Sequence, residues 1–431
     1  MKKIFAMILC LAMLLSSAAL AETAPDIITA FENTGKVSGT LETEVTLSVD
    51  ESALNEIMAA TGGSMNGMEQ IIPPIISLIN NLKLRVLAAE GEAQMELILK
   101  DTGLLTIGTK KADDGTMMMV TDLLPNYILK GDLAKAGASG MASVKLTEEE
   151  QKAITEAGKA KMNQVIEDIK AKQGEAETGS WDFDGVTFTE KKPVNITTKE
   201  VTVMTLKAVK ELFEDPAVKK LTDAMGDQFD TKKLDESIAE AEKKDDSEYP
   251  TMTWYLYTNA EGNEYHDIVM EKNGEQITMA FSLIGKKLAV HGNIAANGNG
   301  KIEGLVDAEN KTISITADIE NNGTPANVAF DLAAQDDGSF AGVIAMSMTG
   351  KKLLSINISG KATSEQLAVS FDEEGKKVVP LEALSDGSSA EGQELMSALQ
   401  TALPGILQKA MKAMPEEIST LMMLFTGGMQ Q

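Results

Sequence analysis

Apolar and polar residues alternate through most of the stretch from 251 to 371. Ile277, Met279, Phe281 and Leu283 interleave with Thr278, Ala280 and Ser282, and Ile313, Ile315, Ala317 and Ile319 interleave with Thr312, Ser314, Thr316 and Asp318. Successive side chains of a strand point to opposite faces, so each segment has one apolar and one polar face. Asn273-Gly274, Asn322-Gly323 and Asp337-Gly338 separate the runs, and these residues tolerate the positive φ of a tight hairpin turn. The pattern predicts a long antiparallel meander whose apolar face needs a cover.

The same alternation runs from 37 to 49, and shorter strands are expected at 84–87, 95–99, 104–107 and 116–121, with Asp114-Gly115 as a hairpin turn. Met117, Met118, Met119 and Val120 follow one another without a polar break, which predicts a strand covered on both faces. Asp50 is placed to cap a short helix through Leu54, Ile57 and Met58. Pro73-Pro74 suits the first turn of a second helix, apolar nearly all round and therefore expected inside. Thr147 and Glu150 match a capping box ahead of a helix to about residue 172, with Ile154, Val165 and Ile169 on one face. Residues 173–180 are polar and read as a linker. Strands are expected next around Phe183, Val186 and Phe188, and around Val194, Ile196, Val201 and Val203. Helical spacing then sets in with Leu206, Val209, Leu212 and Phe213, and further helices are expected after Asp215-Pro216 and from Thr231. Residues 392–425 are helical again: Ile406, Leu407, Ala410, Met411 and Met414 share a face, and Pro415 opens a second segment.

These elements predict an α+β fold, a large curved antiparallel β-sheet (a meander) with amphipathic helices covering its apolar face. Four divisions follow: 1–21, a signal peptide; 22–178, a β-strand and helix unit; 179–375, a second unit of helices and then the meander; and 376–431, a flexible passage followed by amphipathic helices.

The amino-terminal 21 residues change the picture of compartment. Two lysines precede an apolar run from Ile4 to Leu15, and Ala19 and Ala21 supply a small-x-small cleavage site. Secretion, or another extracytoplasmic destination after cleavage near Ala21, is expected. Cys10 is the only cysteine and sits inside the apolar run, too early and after Leu9, so lipidation is not expected. Without thiols the mature chain must rest on a core, for which it is long enough. The formal net charge of −26 repels phosphate backbones, so nucleic acid is not an expected partner. Lys409, Lys412, Glu416 and Glu417 interrupt the carboxy-terminal helices, so no transmembrane span is expected in the mature chain.

Catalytic chemistry has few residues to work with. His266 and His291, the only histidines, are both expected on the surface, roughly 10 Å apart if the hairpins pair in order. That spacing is wide for a shared metal, and no metal or cofactor site is expected. Neither a nucleophile elbow nor a phosphate loop or dinucleotide fingerprint is present. Aromatic platforms for sugar are sparse, with two tryptophans and five tyrosines. Methionine stands out instead: 22 of the 25 follow the signal segment. Its flexible, polarizable side chain lines ligand sites of irregular shape, although it also fills ordinary cores.

The strand pattern 37–49, the helix through Leu206 and Phe213 and the meander from Trp254 to Phe371 together resemble the periplasmic lipoprotein-carrier superfold, including the mycobacterial lipid-binding lipoproteins. That resemblance is one of layout. It implies a curved sheet with helices across its concave side, enclosing an apolar cavity for acyl chains. The chain is nearly twice the usual length for that group and lacks its lipobox cysteine. The expectation is a non-enzymatic binding protein with an apolar pocket for a lipid or other apolar small molecule, lined by Met117, Met119, Leu206, Phe213, Phe330, Met346, Met348, Ile356, Leu407, Met411 and Met422. The alternative is a cell-envelope scaffold or protein-interaction module with a dry core. No particular protein partner is implied.

Overall fold

The structure is a computed structural model and describes residues 40–60, 70–89, 91–112, 116–131, 148–219, 231–296, 298–321, 324–384 and 387–427. The expected signal peptide, the expected Asp114-Gly115 and Asn322-Gly323 turns and the expected Thr147 cap lie outside the described residues. The chain forms β1 (Thr40–Val49), α1 (Glu51–Ala60), α2 (Ile72–Asn80), β2 (Leu82–Ala89), β3 (Glu92–Leu99), β4 (Thr102–Lys111), β5 (Met117–Thr121) and β6 (Tyr127–Gly131). Next come α3 (Glu148–Lys170), β7 (Glu177–Phe183), β8 (Val186–Pro193), α4 (Thr198–Glu214) and α5 (Thr231–Lys243). Strands β9 (Thr251–Thr258), β10 (Glu264–Lys272), β11 (Glu275–Ile284), β12 (Lys287–Ala296), β13 (Gly298–Asp307) and β14 (Thr312–Asn321) follow. The chain ends with β15 (Thr324–Ala334), β16 (Phe340–Met348), β17 (Lys351–Thr363), β18 (Lys377–Pro380), α6 (Ala390–Ala413) and α7 (Pro415–Gly427). Large, mostly antiparallel sheet with several helices makes the fold α+β.

The chain divides into two compact units. The described part of one falls within 141–325 and is called the inserted unit below; the other, the split unit, joins 30–140 to 326–431.

In the inserted unit β7 to β14 pair in sequence order, each antiparallel to the next. Asn273 (φ 55°) and Gly274 (φ 79°) make the two-residue turn between β10 and β11, as their chemistry predicts. Register sets Trp254 beside Ile268 and Ile268 beside Met279 on one face. These three form one buried cluster with Val165 and Ile169 of α3, Val201 of α4 and Phe281. Burying each large apolar side chain contributes about 1.5–3 kcal/mol, so this cluster dominates the unit's stability. It fades toward β14, where Ile315 and Ile319 are 44% and 55% exposed.

Two expectations fail here. Val201 and Val203 are helical, not strand, because Thr197 and Glu200 form a reciprocal capping box: the Thr197 hydroxyl accepts from the Glu200 amide at 3.1 Å, and the Glu200 carboxylate accepts from the Thr197 amide at 2.8 Å. Residues 173–180 do not form a bare linker either, since β7 begins at Glu177 and Gln173 bridges to Val194.

In the split unit the strand order is β15, β16, β17, β1, β2, β3, β4, β5, β6, β18. Every pairing is antiparallel except β6 with β18. Asp50 caps α1 by accepting from the Ala53 amide at 2.9 Å, and Pro73 and Pro74 open α2. The second helix is not apolar-buried all round as expected: Ile76 is 5% exposed but Ile75 38%. It packs on β1 and α7, and Leu78 joins the cluster of Leu99, Leu104, Ala410 and Met414, while Ile75 faces solvent. Strand β5 is covered on both faces, Met118 and Val120 meeting Val369 and Phe371, and Met119 meeting the cluster of Leu124, Leu129 and Leu395.

The meander stops short of Phe371. After Thr363 the chain leaves the ladder and crosses the polar face of the split unit as a strap. Gln94, 1% exposed, accepts from the amides of Ala368 at 2.8 Å and Val369 at 3.1 Å, so a side chain replaces the missing strand partner. Val369 lies directly over Gly108, where any larger side chain would collide with it. Arg85 pairs with Glu42 at 2.6 Å, Glu96 at 3.3 Å and Glu365 at the strap's start. Burial would raise the Glu42 carboxyl, but hydrogen bonding to Arg85 and the nearby Lys361 hold it below its ordinary value.

Candidate functional site

Register across the split unit assigns most of the expected ligand residues to one face. Directly paired residues share a face, and Leu332, Gly342, Ile358, Val45, Leu84, Leu97 and Leu105 form an unbroken row over seven strands. The next row is Phe330, Ile344, Ile356 and Leu47, followed by Val328, Met346, Leu354 and Val49. Met348 continues β16 on the same side, and Met117 and Met119 reach it through their partners Lys111 and Thr109. Six expected residues therefore share one apolar face, while Glu44, Arg85 and Glu96 occupy the other.

This face is only partly filled. Phe330, Met346, Met348, Ile356, Met117 and Met119 are half-buried. Val328, Ile344 and Met95 on the same face are 42%, 37% and 37% exposed. At one end Leu97 and Leu105 pack with Ala410 of α6, Met414 at its carboxy-terminal cap, Leu78 of α2 and Ile418 of α7. Leu407 and Met411 of α6 and Met422 of α7 are 39%, 36% and 39% exposed, and Leu407 and Met411 with Met396 and Leu403 leave an apolar stripe along α6 turned to solvent. The remaining two expected residues, Leu206 and Phe213, are half-buried on α4 of the inserted unit.

The inserted unit holds a cleft of about 780 Å³ between α3 and α4. Lys161 pairs with Glu211 at 2.7 Å and Lys172 with Glu200 at 2.9 Å, so the helices run antiparallel. Val165, Ile196, Met204 and Ala208 line the cleft and join or pack on the buried cluster beneath. No expected residue lines it. Its sequence signal was the Thr197-Thr198-Lys199-Glu200 cap, which fixes the phase of α4, but Val201 and Val203 two apart imitated a strand.

The histidines fall on opposite sheet faces, since His266 pairs with Phe281 and His291 with Ala280 on the same strand. His266 is not at the surface: its side chain is 15% exposed, stacks on Phe281 at 4.1 Å, and its Nδ1 accepts from Trp254 Nε1 at 3.1 Å. Its Nε2 lies 3.6 Å from Glu264, whose carboxyl that contact holds below its ordinary value. Ser282 Oγ donates to Asp184 Oδ2 at 2.6 Å, and His291 Nε2 lies 3.4 Å from Asp184 Oδ1 without making an aligned hydrogen bond. A nucleophilic triad needs the imidazole between serine and carboxylate; here the carboxylate is in the middle. Nearby, Phe183 stacks on Tyr265 at 4.0 Å, and burial pushes that phenol up to about 12. Among the described residues no group of acidic, histidine or cysteine side chains is arranged to hold a metal ion, and no helix is long and apolar enough to cross a membrane.

Comparison with protein-family models, curated proteins and solved structures gives no match to this chain.

Proposed function

We propose that the protein is a non-enzymatic binding protein of the extracytoplasmic space, and that the apolar face of the split unit receives a lipid-like ligand. The observation that carries this reading is the half-exposed apolar face itself: Val328, Ile344 and Met95 are 37–42% exposed among half-buried methionine, isoleucine and phenylalanine, beside leucines that are packed. Exposed contiguous apolar surface is costly in a solvated chain and generally marks an interaction site. In this reading α2, α6 and α7 cover one end of the face, and the ligand covers the rest. Methionines at 117, 119, 346 and 348 give the site tolerance for chains of different shape. The resemblance to the lipoprotein-carrier superfold and the secretory amino terminus agree with it.

Native mass spectrometry of the purified mature chain, with displacement of a fluorescent fatty acid, tests the proposal. Bound lipid in the native chain is expected, with binding lost in Ile344→Glu/Met346→Glu while circular dichroism is unchanged. A native chain that carries nothing and ignores fatty acids and phospholipids refutes it. The exposed stripe of Met396, Leu403, Leu407 and Met411 on α6 favours a second reading, an envelope scaffold that presents this helix to a protein. Lipid-free protein that co-purifies with a stoichiometric envelope protein, and loses it in Leu403→Glu, supports that reading.

A further inference from the structure

The cleft between α3 and α4 is unlike the apolar face of the split unit, because hydrocarbon makes its floor and charge makes its walls. Val165, Ile196, Met204 and Ala208 form the floor. Five carboxylates line it, those of Asp168, Glu200, Glu211, Glu242 and Asp246, against the ammonium groups of Lys172, Lys199 and Lys207. Four of the five are engaged: Glu200 by Lys172, Glu211 by Lys161, Glu242 by Lys207 and Asp246 by Lys199 at 3.5 Å. Asp168 alone has no ion-pair or hydrogen-bond partner among the described residues.

We propose that this cleft binds an organic cation with a hydrocarbon body, its ammonium group set against Asp168 and its chain lying over Val165, Met204 and Ala208. Charge complementarity selects the sign. An anionic amphiphile would meet an excess of carboxylate, with the three lysines already committed, whereas a cation meets one uncompensated charge within a chain of net charge −26. Size selects a small molecule. The two ion pairs that join the helices lie eleven residues apart on α4, or about 16 Å along a helix axis, and 780 Å³ is within the usual range for small-molecule sites.

Calorimetric titration of the mature full-length chain with dodecyltrimethylammonium, dodecyl sulfate and dodecyl maltoside, each below its micelle concentration, tests the assignment. Amide chemical shifts locate the site. The expected result is saturable binding of the cation, weaker or no binding of the sulfate, and shifts confined to 164–172, 196–211 and 242–246. Asp168→Asn removes an exposed, unpartnered charge and should leave the fold intact by circular dichroism. It should weaken the cation roughly three- to fivefold, the scale of one solvent-exposed ion pair. Ile344→Glu/Met346→Glu should leave cation binding unchanged, which separates this site from the lipid-like ligand proposed for the other unit. Equal or tighter binding of dodecyl sulfate, unaltered cation affinity in Asp168→Asn, or shifts that map to the split unit would each overturn the proposal.

Discussion

Asp307 shows how a single carboxylate can be held ionised inside a turn. It is 4% exposed, and burial alone would raise its pKa. The amides of Asn310 at 3.0 Å and Glu309 at 3.1 Å, the Asn310 side chain at 2.7 Å and the Lys287 ammonium at 3.0 Å oppose that, and the carboxyl settles at about 2 against an ordinary value of 3.8. A folded-state value below the unfolded one stabilises the fold fully above about pH 4, and that stabilisation is lost as pH falls toward 2. Thermal melts across this window should therefore show Asp307→Asn with a flatter acid limb than the parent chain; parallel limbs would show the carboxylate to be irrelevant. At this scale the sequence was legible where the cause is local. Asn273-Gly274 turns as written, whereas Asp337-Gly338 is part of a longer loop in which the Gln335 amide donates to the Ser339 carbonyl. His266 was misplaced because its burial depends on Trp254 and Phe281, neighbours across two strand pairings.

Among the elements, α4 illustrates how capping decides between two periodicities. Val201 and Val203 alternate like a strand, but Thr197 and Glu200 satisfy free amides at a helix start, and Thr202 and Thr205 donate back to the carbonyls of Thr198 and Val201. Thr197→Ala should cost about 1 kcal/mol of stability, read as a lower urea midpoint with unchanged slope and faster exchange of the Glu200 amide. No change in the midpoint would mean that packing of Val201 alone sets the helix start. The covered and uncovered halves of α6 were beyond sequence reading for a related reason. Ile406, Leu407, Ala410, Met411 and Met414 all sit within one apolar arc, and which edge meets the sheet depends on where Leu99 and Leu104 lie. The structure buries Ala410 and Met414 and leaves Leu407 and Met411 outward.

For the molecule as a whole, antiparallel architecture and one-faced strands were written in the alternation of residues, because a period of two is a local property. The division of the chain was not. Strand β1 pairs with β17 through ten residues, Thr40 with Thr363 to Val49 with Leu354, and nothing in either segment names the other. The candidate face inherits this: Met346 and Met119 share it only through strands drawn from both ends of the chain. Residues 141–325, expressed alone, should unfold cooperatively and give a dispersed amide spectrum, since their buried cluster is complete. Residues 30–140 alone should do neither, lacking the β17 partner of β1; cooperative unfolding of that fragment would contradict the pairing.

The β1–β17 ladder also has a consequence in time. A ribosome delivers residue 49 long before residue 351, and everything between includes a unit able to close on itself. Until the last third of the chain emerges, the outer rim of β1 has its amides and carbonyls free to template the wrong neighbour. Loop closure over such a span is slow, so the nascent protein stays half-finished until late. A cell making this chain therefore holds a polypeptide that cannot seal the split unit before β17 has emerged.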